Sequence, residues 1–360
     1  MSWPLRMTEL LPAFTVTGPN TQTINLNFAD LISKIQVEAK ATSVGTAVSD
    51  HPAGLITNMQ VVDGSLVLAN LSGKEAQSLG YVQNKRLPYS FVTDISGQIA
   101  SAVADIDFGR WLYDTKYLFD PTKYVNPQLK ITTNPQAVDG SATTGTVEAR
   151  AYFIKAGSAS PIGHLMPREF ATWAPGASGA VYPFYLPVDK IIRKLVIMAR
   201  NSGALPNNVC SNIRIDENMD SAIPINLSTS LWNEVYDGQL DRTDENGYLL
   251  GSVGARSVWW AACQDITYSG VQTAVTDISA CATQPLVNPV PHTDVAAHNI
   301  TARVSGFRPH GAMAVPFGDY LDDTAWYNPT GVNQLRLQLT AGSGYSGATI
   351  QVVLDQVMKY

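Results

Sequence analysis

Apolar and polar residues alternate along most of this chain, and a period of two marks strands half buried against a core. Ile35, Val37 and Ala39 fall on one face while Gln36, Glu38 and Lys40 fall on the other. The same alternation returns at Thr23–Phe28, Thr146–Tyr152, Leu335–Leu339 and Thr349–Leu354. Between such segments lie turn formers, among them Asn134-Pro135, Asp139-Gly140 and Gly342-Ser343-Gly344, spaced as an all-β sandwich requires. Helical periodicity is scarce. Ile95, Ile99, Val103 and Ile106 predict a short amphipathic helix over Thr93–Asp105, and Asp189–Arg193 predicts one turn leading into a strand. Thr8–Phe14 reads as a short amphipathic turn or a loose arm.

The pattern also repeats. Leu31–Lys40 returns as Ile191–Arg200, Asn58–Val61 as Asn212–Ile215, Asn70-Leu71-Ser72 as Asn226-Leu227-Ser228, and Gln128–Ile131 as Gln334–Leu337. Four matches in one order, about 160 residues apart at the start and about 206 near the end, imply a duplicated domain. Small, Pro/Gly-rich stretches at 157–161 and 174–179 flank the boundary. The expected division is an N-terminal arm over 1–20, a first domain over 21–157, a connector over 158–180 and a second domain over 181–360. An insertion of about 237–316 makes the second domain roughly fifty residues longer than its counterpart, and long loops on a β scaffold usually carry function.

Composition narrows the class. Charged residues are 15% of the 360, against about 25% in average domains, which fits a protein that buries much of its exterior against copies of itself. The net charge of −6 argues against a dedicated or sequence-specific nucleic-acid binder, which needs a basic face. Cys210, Cys263 and Cys281 are too few for a disulfide framework or zinc site and suggest synthesis in a reducing compartment. No apolar run approaches the roughly 18 residues of a membrane-spanning helix, and the first residues lack the pattern of a signal peptide.

Candidate chemistry is sparse. Asp241–Gly247 is oxygen-rich but lacks the spacing of a calcium loop, so a solvent turn is expected. His292, Asp294, His298 and His310 share the insertion, but their spacing matches no metal-binding face, so surface or inter-subunit histidines are expected. Asp216-Glu217 and Asp322-Asp323 are adjacent acids, which on a strand point to opposite faces; solvated turns are expected in place of a glycosidase pair. No nucleophile elbow, zinc-protease helix or phosphate loop occurs. The chain is therefore expected to have no catalytic residue, no metal and no cofactor. Trp111, Tyr113, Tyr117, Phe119 and Tyr124 crowd one segment and are answered by Tyr320, Trp326 and Tyr327. A sugar platform would use such aromatics, but a duplicated position is first a packing position.

Tandem alternating-strand domains, one with a long insertion, resemble the double jelly-roll major capsid proteins of tailless icosahedral viruses with an internal membrane, such as the tectiviruses and corticoviruses of bacteria, with adenovirus hexon a larger relative. The resemblance is carried by the strand openings Ile32–Lys40 and Ile192–Arg200 and by the corners Leu118-Phe119-Asp120-Pro121 and Trp326-Tyr327-Asn328-Pro329. It implies two tandem eight-stranded jelly rolls with few short helices. It also implies homotrimers of pseudo-hexagonal outline that tile a virion shell, with the insertion as an outward tower. Penton and minor capsid proteins, an internal membrane and assembly in the host cytoplasm come with that implication. Trp111, Tyr113, Tyr117, Phe119, Trp259, Trp260 and Trp326 are the expected interface or inter-domain anchors. Two other classes compete: a glycan-binding or glycan-cleaving tandem jelly roll, and a trimeric receptor-binding spike.

Overall fold

A computed structural model of the chain describes residues 4–45, 48–140, 142, 144–236, 240–250, 256–272, 278–279, 287–292 and 299–360. The first half runs through β1 (Leu5–Val16), β2 (Asn20–Asn25), β3 (Leu31–Thr42), β4 (Ile56–Asp63), β5 (Leu66–Leu71), helix α1 (Gly73–Asn84), β6 (Ser90–Thr93), β7 (Ile99–Asp107), β8 (Pro127–Thr133) and β9 (Gly145–Ile154). The second half continues with β10 (Gly163–Trp173), β11 (Val181–Leu186), β12 (Ile192–Arg200), α2 (Pro206–Val209), β13 (Cys210–Glu217), β14 (Ala222–Ser228) and α3 (Thr229–Tyr236). The insertion holds β15 (Thr243–Leu250), β16 (Arg256–Val258), β17 (Gln264–Gln272), β18 (Ile278–Ser279), β19 (Val290–His292) and β20 (Asn299–Phe307). After it come β21 (Ala312–Pro316), β22 (Leu335–Ala341) and β23 (Thr349–Lys359).

Each half is a jelly roll of two four-stranded sheets. In the first the orders are β1-β9-β3-β7 and β2-β8-β4-β5; in the second they are β10-β23-β12-β21 and β11-β22-β13-β14. All four sequence matches fall on equivalent strands: β3 with β12, β4 with β13, the end of β5 with the end of β14, and β8 with β22. Alternation explains the cores. Ile35, Val37, Met59, Val61, Leu129, Ile131, Val147 and Ala149 fill the first, and Leu195, Ile197, Ile213, Ile215, Leu337, Leu339, Ile350 and Val352 fill the second. Burying each large aliphatic side chain stabilises by about 1.5–3 kcal/mol.

The halves are joined through their sheets. Strand β5 meets β10 in parallel, with Asn70 opposite Arg168, so one sheet of each half merges into an eight-stranded surface. The insertion adds to the other sheet of the first half: β6 pairs in parallel with β15 over Phe91–Thr93 and Asn246–Tyr248, and β20, β17 and β18 continue a nine-stranded sheet.

Several expectations change. Within the expected arm over 1–20, Leu5–Val16 is a strand and not a loose arm: β1 pairs along β9 from Leu5 opposite Ile154 to Val16 opposite Gly145. The expected connector likewise contains β10, paired with β23. Both strands carry a proline and a register shift (Pro12 and Pro167), which hides the alternation of these first strands of the two jelly rolls. The insertion stops short of 316, because Ala312–Pro316 is β21, paired with β12.

The helix expected over Thr93–Asp105 is instead largely β7. Steps of four residues are multiples of two as well as near a helical turn, so Ile95, Ile99 and Val103 satisfy both periods. In the sheet Ala102, Ala104 and Ile106 pair with Ala39, Val37 and Ile35. Asp189–Arg193 forms no helical turn; β12 starts at Ile192. The real helix is α1, whose Ser72 and Glu75 make reciprocal backbone hydrogen bonds, a capping box. It starts on Gly73 because a Cβ there would lie 2.3 Å from the Ala53 carbonyl oxygen. Helix α1 wedges between the halves, with Ala76, Leu79 and Tyr81 in the same cluster as Val196, Met198 and Val353.

Candidate assembly surfaces and the inter-domain junction

The duplicated corners pin the start of a core strand in each half. Ile32 N donates to Phe119 O at 2.8 Å and Phe119 N to Ile32 O at 2.9 Å; Ile192 and Tyr327 make the same pair at 2.9 and 3.1 Å. Asp120 accepts from Thr122 N at 3.0 Å, and Asn328 accepts from Thr330 N at 3.2 Å. In each corner a short oxygen side chain ahead of proline satisfies a turn amide.

These contacts decide where the expected anchors go. Phe119 is fully buried, stacked between Phe108 at 5.0 Å and Tyr124 at 5.1 Å. His164 meets its edge at 5.3 Å. The Tyr124 hydroxyl donates to His164 Nε2 at 2.8 Å, since Nδ1 donates to Leu165 O at 2.9 Å. Burial drives this imidazole down to about 4, so it is neutral at ordinary pH. Phe119 is thus a core residue, out of reach of a second copy.

Tyr117 and Trp326 come from different halves and meet, ring centres 5.4 Å apart. Both are buried. The Tyr117 hydroxyl donates to Asp323 Oδ2 at 2.8 Å, and Lys116 Nζ reaches the same carboxylate at 2.5 Å. The Arg193 guanidinium lies 5.6 Å from the Trp326 ring. Tyr113 is half-buried, held in a left-handed conformation at φ 65° with its amide on Ser33 Oγ at 2.7 Å. Trp111 is 46% exposed, its ring capped by Arg110 at 4.2 Å.

In the insertion, Trp260 is buried and Trp259 half-buried. Asn288 clamps the Trp260 backbone, accepting from its N at 3.0 Å and donating to its O at 2.9 Å. Of the expected anchors, Trp111, Tyr113 and Trp259 keep surface in the single chain, whereas Tyr117 and Trp326 lie between the halves.

Two buried polar clusters were invisible to spacing. Arg193 donates to Asp355 Oδ2 and to Gln83 Oε1 of α1, both at 3.0 Å, and to Tyr320 O at 2.9 Å. Lys194 reaches the same Gln83 oxygen at 3.0 Å. Burial, with Arg193 beside it, drives the Lys194 ammonium down to about 7. The second cluster joins the first half to the insertion. His51 Nδ1 accepts from Ala53 N at 3.0 Å, so Nε2 carries the proton and donates to Glu245 Oε1 at 2.7 Å. Ser90 Oγ and Ala261 N also donate to that carboxylate. Burial pushes Glu245 up, but His51, Ser90 and the amide outweigh it and hold the carboxyl below its usual range. His310 packs on His51 at 4.8 Å and bonds Gln77 at 2.8 Å.

These clusters correct the expectations for the polar motifs. Glu245 belongs to strand β15 and is buried, so 241–247 is no solvent turn. His310 is buried, not at a surface; Asp294 and His298 lie outside the described residues. Asp216 is buried and held by Arg336 Nε at 3.1 and 3.0 Å, whereas Asp322-Asp323 does lie in a turn, Asp322 exposed and Asp323 ion-paired as above. The residue signal was present but mute, because pairing of distant charges has no spacing.

No protein-family model matches the chain, and no curated protein sequence matches it. Solved structures do. The STIV MCP, a major capsid protein, aligns over 99% of this chain and 97% of its own, at 14% identity and TM-score 0.60. The major capsid protein P2 from bacteriophage PM2 aligns over 99% and 98%, at 10% identity and TM-score 0.56. PBCV-1 VP54, fitted into a reconstruction of the virophage Sputnik, aligns over 98% and 93%, at 12% identity and TM-score 0.58. The chain has the double jelly-roll fold that these capsid proteins share. The double jelly roll spans both halves and includes β1 and β10, the two strands that alternation alone left out.

Proposed function

We propose that this double jelly roll is a structural major capsid protein, three copies of which form a pseudo-hexagonal trimer that tiles an icosahedral virion shell. One observation carries the proposal: the chain contains the same eight-stranded unit twice in equivalent strand order, and its whole length aligns with capsid proteins. Two similar domains let a three-fold assembly present six similar edges, which is what a hexagonal lattice asks of its tile. The insertion, which runs from about 237 to the start of β21 at Ala312, is the part without a counterpart and would stand outward as a tower. Penton and minor capsid proteins, an underlying membrane and assembly in the host cytoplasm belong to the same proposal. A glycan-active protein needs an open groove of acids and aromatics between the halves. That junction is filled by α1 and the Arg193–Asp355 cluster, which supports the coat reading over the glycan one. Electron microscopy and sedimentation of the purified chain test it: trimers of hexagonal outline are expected, and a stable monomer would overturn it.

A further inference from the structure

The joint between the two halves of one chain predicts the joint between two chains. We infer that the contact made inside the chain by β5 and α1 on the second jelly roll is repeated between copies by β14 and α3 on the first jelly roll of the next copy. This inference rests on the proposed trimer and assigns its interface to particular residues.

Within the chain, the joint has two parts. Edge strand β5 meets β10, with Asn70 opposite Arg168. Helix α1 covers the outer face of β12 and β23: Leu79 lines a narrow space with Lys194 and Asp355, and Glu75 Oε1 accepts from Gln351 Nε2 at 3.1 Å. Consequently β12 is buried on both faces from Ile192 to Ala199. Its counterpart β3 is buried on one face only from Lys34 onward, the residues between being half-buried. The second half therefore has a covered outer face, and the first half has the same face open.

The matching donor surface is also open. Ser72 and Ser228 end the repeated Asn-Leu-Ser, so stepping into each helix puts Leu231 where Glu75 stands and Val235 where Leu79 stands. Glu75 and Leu79 are buried, whereas Leu231 is 48% and Val235 50% exposed. Two apolar residues thus sit bare on α3 at the positions that α1 uses to seat the other jelly roll. The edge strands follow suit. Among the described residues, strand β14 pairs with β13 on one side and with no strand on the other, and β1 pairs with β9 on one side and with no strand on the other. Met7 and Phe14 are exposed on β1, and Ile223 on β14. Open edges with apolar side chains are surfaces that proteins normally cover.

The register can be carried across. Gln351 pairs with Met198, and Glu148 pairs with Glu38 in the same place of the first half, so the Glu75–Gln351 contact corresponds to Leu231 against Glu148 of the next copy. Arg168 pairs with Leu354, and Thr8 with Ala151, so Asn70 opposite Arg168 corresponds to Asn226 opposite Thr8 of the next copy. Around Glu148 the receiving face offers Tyr152 and a network in which Lys40 and Arg150 pair with both Glu38 and Glu148. Its charges are thus already neutralised in pairs, and Leu231 and Val235 can cover the aliphatic stems of Lys40 and Arg150.

The experiment is a disulfide cross-link on the full chain. Leu231→Cys with Glu148→Cys should give covalent dimers and trimers on a non-reducing gel after mild oxidation, and each single variant should give none above the background of the natural cysteines. Trimers by sedimentation with no cross-link would overturn this joint and leave the coat reading standing; unmutated chain that sediments as a monomer would overturn both. The second arm is Leu231→Glu with Val235→Glu, changes at exposed positions that leave the fold intact. Loss of trimers to monomers at an unchanged unfolding midpoint is expected, and unchanged trimers would overturn the inference.

Discussion

Nε2 of His51 lies 2.7 Å from Oε1 of Glu245, in a fully buried pair that fastens the insertion of the second jelly roll to a loop of the first. The carboxylate has further donors in Ser90 and the Ala261 amide, so its charge is met on every side. Removing it leaves three donors stranded in the interior. Breaking one partner of a buried pair costs about 3–5 kcal/mol. Glu245→Ala is expected to lose that much in denaturant unfolding, and Glu245→Gln less, because one of its two terminal atoms still accepts. Equal stability of both variants to the parent would show that the pair does not fasten the insertion.

Buried histidines set the acid limit. In the folded chain burial lowers His164 to about 4 and holds His310 well below its usual value. An unfolded histidine titrates near 6.5, so between the two values the unfolded chain binds more protons and stability falls as pH falls. Stability is therefore expected to drop from about pH 6.5 downward. Glu245, also depressed, adds a loss at lower pH, as the medium falls through its folded value. His164→Phe keeps the aromatic packing around Phe108 and Phe119 and should flatten the slope between pH 6.5 and 4, measured as the urea midpoint against pH. An unchanged slope would exclude His164 as a source of it.

Glu75 has the opposite sign. Burial, aided by Glu169, raises its carboxyl to about 7 despite the hydrogen bonds from Ser72. A raised acid binds its proton more tightly when folded, so its stabilisation is present at low pH and is lost as pH rises from about 4.5 through about 7. Glutamine also serves at the third position of a capping box. Glu75→Gln should leave stability at pH 5 nearly unchanged and raise it at pH 8 by on the order of 2 kcal/mol. A destabilised variant at pH 8 would mean that the ionised carboxylate is satisfied in place.

Much of this architecture was legible in the sequence, and the limits have physical causes. One-sided burial writes a period of two on β3, β8 and β22, and the repeat extended that reading to β4, β12 and β13, although β12 is buried on both faces. Strands β1 and β10 were lost because prolines and bulges interrupt that period. Helix α1 was lost because it is buried on most sides, glutamate and glutamine included, and an enclosed helix has no polar face to contrast with an apolar one. Its capping box, Ser72 to Glu75, was the available signal. The aromatic anchors were found as a group but could not be sorted by composition. Phe119 and Trp111 read alike in sequence, and only tertiary contacts put the first in the core and the second at the surface.

That contrast between Phe119 and Trp111 gives a paired test of fold against assembly. Phe119 is fully enclosed by Phe108, Tyr124 and His164, so Phe119→Ala removes packed ring volume that its neighbours cannot refill. Such truncations cost about 3–5 kcal/mol, and the unfolding midpoint should fall accordingly. Trp111 is 46% exposed and leans on Arg110, so Trp111→Ala should change folding stability by about 0.5 kcal/mol or less. If Trp111 is an assembly anchor, its loss acts on association: trimers or sheets of trimers should weaken at an unaltered unfolding midpoint, read by sedimentation across a dilution series. Unaltered association with unaltered stability would remove Trp111 from the interface, and a large loss of stability would place it in the fold's own packing with Phe119.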